Sequence, residues 1–591
     1  MKLKPTLTSK SLKVATARDF SGGLNYTDSE FNLASKYAVS GYNMVPDDNG
    51  SLSVRWGTRL HVNTFSANRI VALDYFYKYL IAVHADGTIT ATDAAGTVTQ
   101  VWNTAVAVSL PGQPSAWKAT TQATFAQFLG GLIVANGTDK PILITTSLTA
   151  QYLQDLGSGS NINTPICKYV IIHSNYVVMA GDANAPGKLY ISNVGTSGTW
   201  IGDPAPNDAI TFDVYKYTSD SLGEITGLAS FRGRLIVFFS EYIVTVKLGS
   251  YSSASTPVHT PAVDDIIESF GAVSHRGIIN TGDSLFFLDF TGISQVRQAT
   301  LTTQLTPTRV STLIDNKLQR AMATLPKATL QQGAYAVYDK RESRLFWVIP
   351  SSADTNPANI ARVFVLCKFS SKYAWTEYTG WNFQAGAVTT EGRLFFASSR
   401  YIYRHGSAYE PVLSDYEGVV AYNGTAQDKN PVYVNDVYCD TSQLGQGIPF
   451  YWELPQNILG DRVLWKSLHY ITSDTQGASR FTAQFYLDDL KKRPATRGTP
   501  WSDATYFSDG AGWADQSMYA PDSTIEFTGG DRGALNTTVT TVSSGYRPTD
   551  NMGLYAVYGR FRFFKLALTG TSWSHLRIVS ISLYYQTGNI Y

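Results

Sequence analysis

A run of four apolar residues, closed on each side by a polar turn, recurs along residues 69–406. Its copies are Leu80-Ile81-Ala82-Val83, Leu132-Ile133-Val134-Ala135, Val177-Val178-Met179-Ala180, Leu235-Ile236-Val237-Phe238, Leu285-Phe286-Phe287-Leu288, Leu345-Phe346-Trp347-Val348 and Leu394-Phe395-Phe396-Ala397. Successive copies are about 45 to about 60 residues apart, a spacing that suits β-propeller blades of roughly 40–50 residues with loop insertions. A continuous apolar run of strand length fits a strand covered on both faces. The pattern therefore predicts an all-β chain with a propeller of six or seven blades over 69–406. The runs are its inner or central blade strands, with 235–238 and 345–348 buried. Around three of the runs, the turns Ala85-Asp86-Gly87, Arg232-Gly233 and Thr281-Gly282-Asp283 divide the sequence into β-meanders.

Outside the repeat the pattern changes. Residues 1–16 are polar and read as an N-terminal arm. Residues 17–68 form a lead-in segment with turn chemistry at Gly22-Gly23 and at Pro46-Asp47-Asp48-Asn49-Gly50. Gly22 and Gly23, together with Arg55, Trp56 and Gly57, are expected at a junction between the propeller and another unit. Glycine permits the turns, and arginine offers a fixed fork of donors. On that view, loss of Arg55 would harm assembly more than folding. One helix is predicted between blades, capped by Ser311, with Leu313, Ile314, Leu318 and Met322 at helical spacing and Pro326 as its stop. Residues 407–591 keep strand-like stretches but lose the repeat, which suggests a second, sandwich-like β unit. Its long polar stretch 495–550 carries Trp501, Tyr506, Phe507, Trp513 and Tyr519, and Trp501 and Trp513 are candidates for a contact surface.

Composition sharpens this picture. Aromatic residues reach 13% and charged residues only 16% of the 591, against about 25% charged in ordinary soluble domains. The first is β-rich chemistry; the second suits a surface partly covered by partner subunits. A net charge of +1 argues against tight binding through phosphate neutralisation, but not against nucleic acid passing by. Cys167, Cys367 and Cys439 lie far apart and form no disulfide framework or C-x-x-C knuckle. The N-terminal residues lack the apolar core of a secretory signal, and no stretch is long enough for an apolar membrane span.

Catalytic chemistry is hard to find. Ser192 to Trp200 has the outline of a sialidase Asp-box without its aspartate, and Arg232, Arg234, Arg276 and Arg297 are not placed as an arginine triad by any motif. Asp47-Asp48, Asp264-Asp265 and Asp488-Asp489 are adjacent pairs. Neighbours on a strand point to opposite faces, so such pairs read as solvated turn residues. The eight histidines show no metal-ligand spacing, and no glycine-rich stretch continues into the Gly-Lys-Ser/Thr of a phosphate loop. No enzyme activity, cofactor or metal is expected.

Several ordered segments carry a resemblance. They are Phe20-Ser21-Gly22-Gly23-Leu24-Asn25, then Asn43-Met44 and Arg55-Trp56-Gly57-Thr58-Arg59, then Gly187 to Ser192 with Trp200. Gly223 to Leu228 with Tyr242-Ile243-Val244, Gly271-Ala272 to Ile278, and Arg462 to Lys466 follow. In this order the chain resembles the tail nozzle proteins of short-tailed bacteriophages, the group of packaged-DNA stabilisation and tail tubular B proteins. The match is closest over 17–406 and looser over 410–591. The resemblance implies a non-enzymatic homohexamer in the virion tail, made in the host cytoplasm. Its ring would close the DNA channel after packaging and conduct DNA during ejection. The implied partners are further copies of itself, adaptor or portal-side ring proteins, tail fibres or spikes, and genomic DNA in transit without sequence-specific contacts. The alternative function is a receptor- or glycan-binding propeller module at the tail tip.

Overall fold

The computed structural model describes residues 12–415 except 31, 65–67, 103–116, 118–121, 154–162, 196, 198–199, 201–208, 218–222, 254–255, 299–304, 351–361, 371 and 382. Beyond 415 it describes 433–434, 437–438, 447–455, 466–476, 480–487, 490–491, 524–528, 564–572 and 575–587. Each apolar run is the second strand of a four-stranded antiparallel blade, and the described residues form seven such blades. The blades open with Ile70–Phe76, Thr124–Phe128, Tyr169–His173, Gly227–Phe231, Ile278–Asn280, Tyr335–Asp339 and Ala385–Val388. These opening strands sit side by side around an axis, and the seventh meets the first, so the sheet array closes into a ring.

The packing explains why the second strands are apolar throughout. Alternate side chains leave a strand on opposite faces, and each face of a blade is covered by the next blade. Ile81 and Val83 pack with Leu132 and Val134 between blades 1 and 2, whereas Leu80 and Ala82 pack with Phe395 and Ala397 between blades 7 and 1. Ile133 and Ala135 meet Val177 and Met179 between blades 2 and 3. Leu235 and Val237 face blade 3, and Ile236 and Phe238 face blade 5. Residues 235–238 and 345–348 are all buried, as expected. The tight turns between first and second strands place Tyr77, Leu129, Ser174 and Arg232 at positive φ, the backbone geometry of two-residue hairpin loops.

Ring closure uses a strand from outside the 69–406 span. Thr58–Asn63 pairs with Tyr401–His405 as the fourth strand of blade 7, so the first and last blades are joined by the lead-in segment. That segment is not a separate unit. Gly23–Leu24 and Tyr37–Ala38 extend blade 6 to six strands, and Ser40–Tyr42, Met44–Pro46 and Leu52–Val54 belong to the second unit. Short strands separated by turns can each join a different sheet, which periodicity alone does not reveal. Lys13–Ala17, at the end of the expected arm, pairs with Arg577–Thr587.

Besides the short pair Tyr433–Val434 with Val437–Tyr438, the described residues of the second unit form two sheets. One contains Lys13–Ala17, Met44–Pro46, Leu52–Val54, Lys466–Gln476 and Arg577–Thr587; the other contains Ser40–Tyr42, Ile448–Glu453, Arg480–Leu487, Leu490–Lys491, Thr524–Thr528 and Phe564–Ser572. Phe450, Trp452, Leu566 and Leu568 of one sheet share a core with Leu52, Val54, Ile578, Ile581 and Leu583 of the other. That core runs on into the interface of blades 5 and 6 through Phe286, Leu288, Leu345 and Trp347.

The helical insertion differs from expectation. It holds two helices, α1 (Asp315–Ala323) and α2 (Lys327–Gly333). The residue at the start of α1 is Ile314, and Ser311 makes no cap; its hydroxyl bonds Asp315 and accepts from the Ile293 amide at 2.7 Å. Pro326 stops α1 and immediately precedes α2, a place where its missing N–H costs nothing. The pair docks within the chain: the Tyr26 amide donates to Leu313 O at 2.7 Å, and Lys317 pairs with Glu377 of blade 6.

Candidate functional site at the junction of the two units

Residues 55–57 cross from the second unit into blade 7 and are held on all sides. Arg55 follows Leu52–Val54 and has a fully buried side chain. Its guanidinium has five N–H donors, and five bonds are made. Nε donates to Asn43 Oδ1 at 2.8 Å. Nη1 donates to Trp56 O at 3.0 Å and Asp415 Oδ1 at 2.8 Å. Nη2 donates to Thr379 O at 3.2 Å and Asp415 Oδ2 at 2.5 Å. The bidentate pairing with Asp415 is the strongest geometry available to such a pair. The guanidinium plane also lies over Tyr378 and Trp381, 5.4 and 5.3 Å from their ring centres.

Asn43 is the hub beside it. Its backbone is left-handed at φ 57, a conformation asparagine tolerates better than most residues. Its side chain donates to Pro449 O at 2.7 Å in the second unit and to Thr379 Oγ1 at 3.0 Å after blade 6. Its Oδ1 accepts from the Thr379 amide at 2.8 Å as well as from Arg55. One residue thus bonds the propeller, the second unit and the buried arginine.

Trp56 stacks face to face on His575 of the second unit, 3.9 Å between ring centres, and donates to Glu342 Oε1 of the blade 6 turn at 3.0 Å. Gly57 is fixed by close approach: a Cβ there would stand 2.0 Å from Ser414 O. Its carbonyl accepts from the Gly406 amide and from His405 Nδ1, at 2.9 and 3.0 Å. Gly22 and Gly23 serve the same junction from the other side. Gly23, at φ 71, runs alongside Trp375, where a Cβ would meet the backbone at 2.6 Å; at Gly22 a Cβ would meet the Tyr37 ring at 2.7 Å. Trp501 and Trp513 lie outside the described residues.

Burial sets the electrostatics. It lowers His405 to about 3, helped by the charges of Arg55 and Arg344, and lowers His575 to about 4, helped by Arg344. Both imidazoles are neutral at neutral pH. Burial also raises Asp339 to about 6, with the Glu342 charge adding to it. These are structural groups in a packed interface. Because every donor of Arg55 is used within the chain, its loss is expected to act on folding as well as on any assembly.

The ring axis carries a second polar constellation that no motif marked. Arg276, on the turn before blade 5, donates to Val71 O of blade 1 at 2.7 Å and to Gln384 O before blade 7 at 2.9 Å. It crosses the axis to span the closure seam and lies over the Tyr335 ring of blade 6 at 5.2 Å. Next to it, His275 accepts from the Leu228 amide of blade 4 at 3.1 Å and packs against Tyr169 of blade 3. Burial lowers Arg276 to about 10 and His275 to about 4. Elsewhere the paired carboxylates take structural places: Asp47 pairs with Arg577 at 3.0 Å, and Asp264 sits in a strand, not a turn. Among the described residues no cluster of three or more His, Cys, Asp or Glu is placed to hold a metal ion, and no helix is long and apolar enough to cross a membrane.

No family model and no curated protein matches the chain. Among solved structures it is similar to a streptogramin B lyase (TM-score 0.36, 10% identity, 60% of this chain and 98% of that one). It is likewise similar to YCF48 bound to D1 peptide (0.33, 8%, 60% and 96%) and to the WD40 beta propeller domain of Doa1 (0.33, 7%, 60% and 97%). The fold assignment rests on the strand pairing described above.

Proposed function

We propose that the chain is a non-catalytic structural subunit of a short-tailed bacteriophage tail. In this reading it is a nozzle protein that assembles as a sixfold ring, closes the DNA channel after packaging and conducts DNA during ejection. The observation that carries the reading is the lacing of residues 13–63 through blade 6, blade 7 and both sheets of the second unit. Such lacing makes two units of one chain into a single stiff block, which a ring under the pressure of packaged DNA requires and an isolated binding module does not. The bridging of blades across the propeller axis by Arg276 and His275 is in keeping with a DNA path that runs between subunits, along the axis of the hexamer. Near-neutral charge fits a channel that does not grip phosphates. Adaptor-side rings and fibres or spikes would meet the two ends of the ring.

The receptor-binding alternative draws on one feature. Tyr77 and Leu129, 62% and 75% exposed, stand on hairpin tips of adjacent blades and are its candidate ligand contacts. Imaging of the purified protein and of virions separates the two. The nozzle reading expects a sixfold ring on the tail axis, and particles lacking the protein that package DNA but lose it. Mutant particles that keep their DNA and infect normally would overturn it, and normal retention with lost adsorption would favour the alternative.

A further inference from the structure

Arg276 is a cation with no counter-ion. It stands on the turn 274–277 ahead of blade 5, and that turn is pinned. The Gly277 amide donates to Ser274 O at 3.0 Å, and Trp347 Nε1 of blade 6 donates to Gly277 O at 3.2 Å. From there the side chain reaches Val71 O and Gln384 O through one N–H on each Nη. A guanidinium has five N–H donors and two are used, so three, Nε–H included, make no hydrogen bond within the described residues. The charge is equally unmatched. Arg55 faces the Asp415 carboxylate, whereas no carboxylate acts on Arg276, and only Tyr335 offsets the burial that lowers it to about 10. Asp74 is no substitute. It lies on the inner strand of blade 1 past Val71, roughly 10 Å along the strand, and its carboxyl bonds Gln127.

The neighbouring residue adds a donor. His275 Nδ1 accepts from the Leu228 amide at 3.1 Å. Burial, helped by the Arg276 charge, holds the ring at about 4, so it is neutral at neutral pH and carries its single proton on Nε2. That Nε2–H also makes no hydrogen bond within the described residues. The ring packs against Tyr169, which holds it in place.

Two adjacent side chains therefore present N–H groups and one positive charge, with no acceptor beyond the two carbonyls already engaged. Both are half-buried, so water reaches them. Blades 1, 3, 4, 6 and 7 surround them through the contacts above, so a small group can reach these donors and a duplex or a protein domain cannot. A charge taken partly out of water is costly unless it is paired. The planar fork of a guanidinium pairs best with oxyanions.

We infer that this end of the propeller axis is a binding site for a small oxyanion, a carboxylate or phosphate group, held by Arg276 and by His275 Nε2–H. The site belongs to the single propeller and stands whether or not the chain forms a ring. It gives Arg276 a second role beside clamping the closure seam. The two carbonyl bonds fix the guanidinium and leave its remaining donors to the ligand.

Phenylglyoxal, which modifies accessible guanidinium groups, tests this on the full-length wild-type protein. The rate at Arg276 is read by peptide mass in phosphate, in acetate and in chloride at equal ionic strength, with the exposed Arg232 as internal reference. Phosphate or acetate is expected to slow the reaction at Arg276 several-fold relative to chloride and to leave Arg232 unchanged. Protection by one anion and not the other identifies the group that the site takes. His275→Phe keeps a ring against Tyr169, removes the Nε2–H, and should need about tenfold more of that anion for equal protection. Equal rates at Arg276 in all three solutions, or an Arg276 that reacts in none of them, overturn the site. Unchanged protection in His275→Phe overturns the share assigned to His275. The wild-type comparison decides the site by itself, whatever the stability of the variant.

Discussion

The blade interfaces and the arginine centre of the junction beneath blades 6 and 7 are both buried, yet they are held by different physics. Between blades the contacts are apolar and repeated, as with Leu235 and Val237 on one face and Ile236 and Phe238 on the other. Any one of them is backed by many neighbours. At the junction, beside the apolar core that runs on between blades 5 and 6, the polar contacts converge on the Arg55–Asp415 pair and on Asn43. A buried charge is secure only while its partner is present. Damage to the blades should therefore be graded, and damage to the junction should be steep and reversible by removing the second charge.

The largest effect is expected from Arg55→Ala, which strands Asp415 in the interior and should cost about 3–5 kcal/mol. The double change Arg55→Met with Asp415→Leu should recover most of that loss in urea unfolding. A double variant no better than the single would mean that the hydrogen bonds to Asn43 and Thr379 dominate, not the charge. In the blades, Leu235→Ala should cost about 2–4 kcal/mol through an unfilled cavity, with no second change able to restore it.

The difference also governs what the sequence could reveal. The seven blades were legible because each repeats one physical demand, a strand covered on both faces. The blade count came within reach, and 235–238 and 345–348 were placed correctly. The closing strand Thr58–Asn63 was not legible, since its partner Tyr401–His405 lies more than three hundred residues away and nothing local encodes that pairing. Gly57 and Gly23 could be singled out as unusual, but the atoms they avoid, Ser414 O and the Trp375 backbone, are tertiary. Asn43 has no neighbour in the sequence that encodes its role, and an Asn followed by an Arg twelve positions on is no signal by itself. Arg276 had no motif because its acceptors are backbone carbonyls, which any residue supplies.

Acid should separate the regions next. The folded-state values of His405 and His575 are about 3 and about 4, below the usual value near 6.5 for an unfolded histidine. The unfolded chain therefore binds protons first as pH falls. The contribution of these two groups to stability is fully present well above pH 6.5 and declines toward pH 4, by roughly 3 kcal/mol at pH 5.5 for the two together. His405→Gln should flatten this slope in thermal melts from pH 7 to pH 5, whereas Leu235→Ala should shift the curve without changing its slope. The smallest effect is expected at the ring axis. Arg276→Met loses two bonds to carbonyls of blades 1 and 7 and should cost about 1–3 kcal/mol. It should appear as faster amide exchange at Ile70–Phe76 and Ala385–Val388, with the junction unchanged.

Differential scanning calorimetry of the wild-type chain tests the central claim most directly, because strands from 13–63 enter both units and one of them, Thr58–Asn63, completes blade 7. The propeller and the second unit should unfold in one transition, with calorimetric and van't Hoff enthalpies in agreement. Two separate transitions in the wild type would contradict the account, for they would mean that the junction joins the units without coupling them.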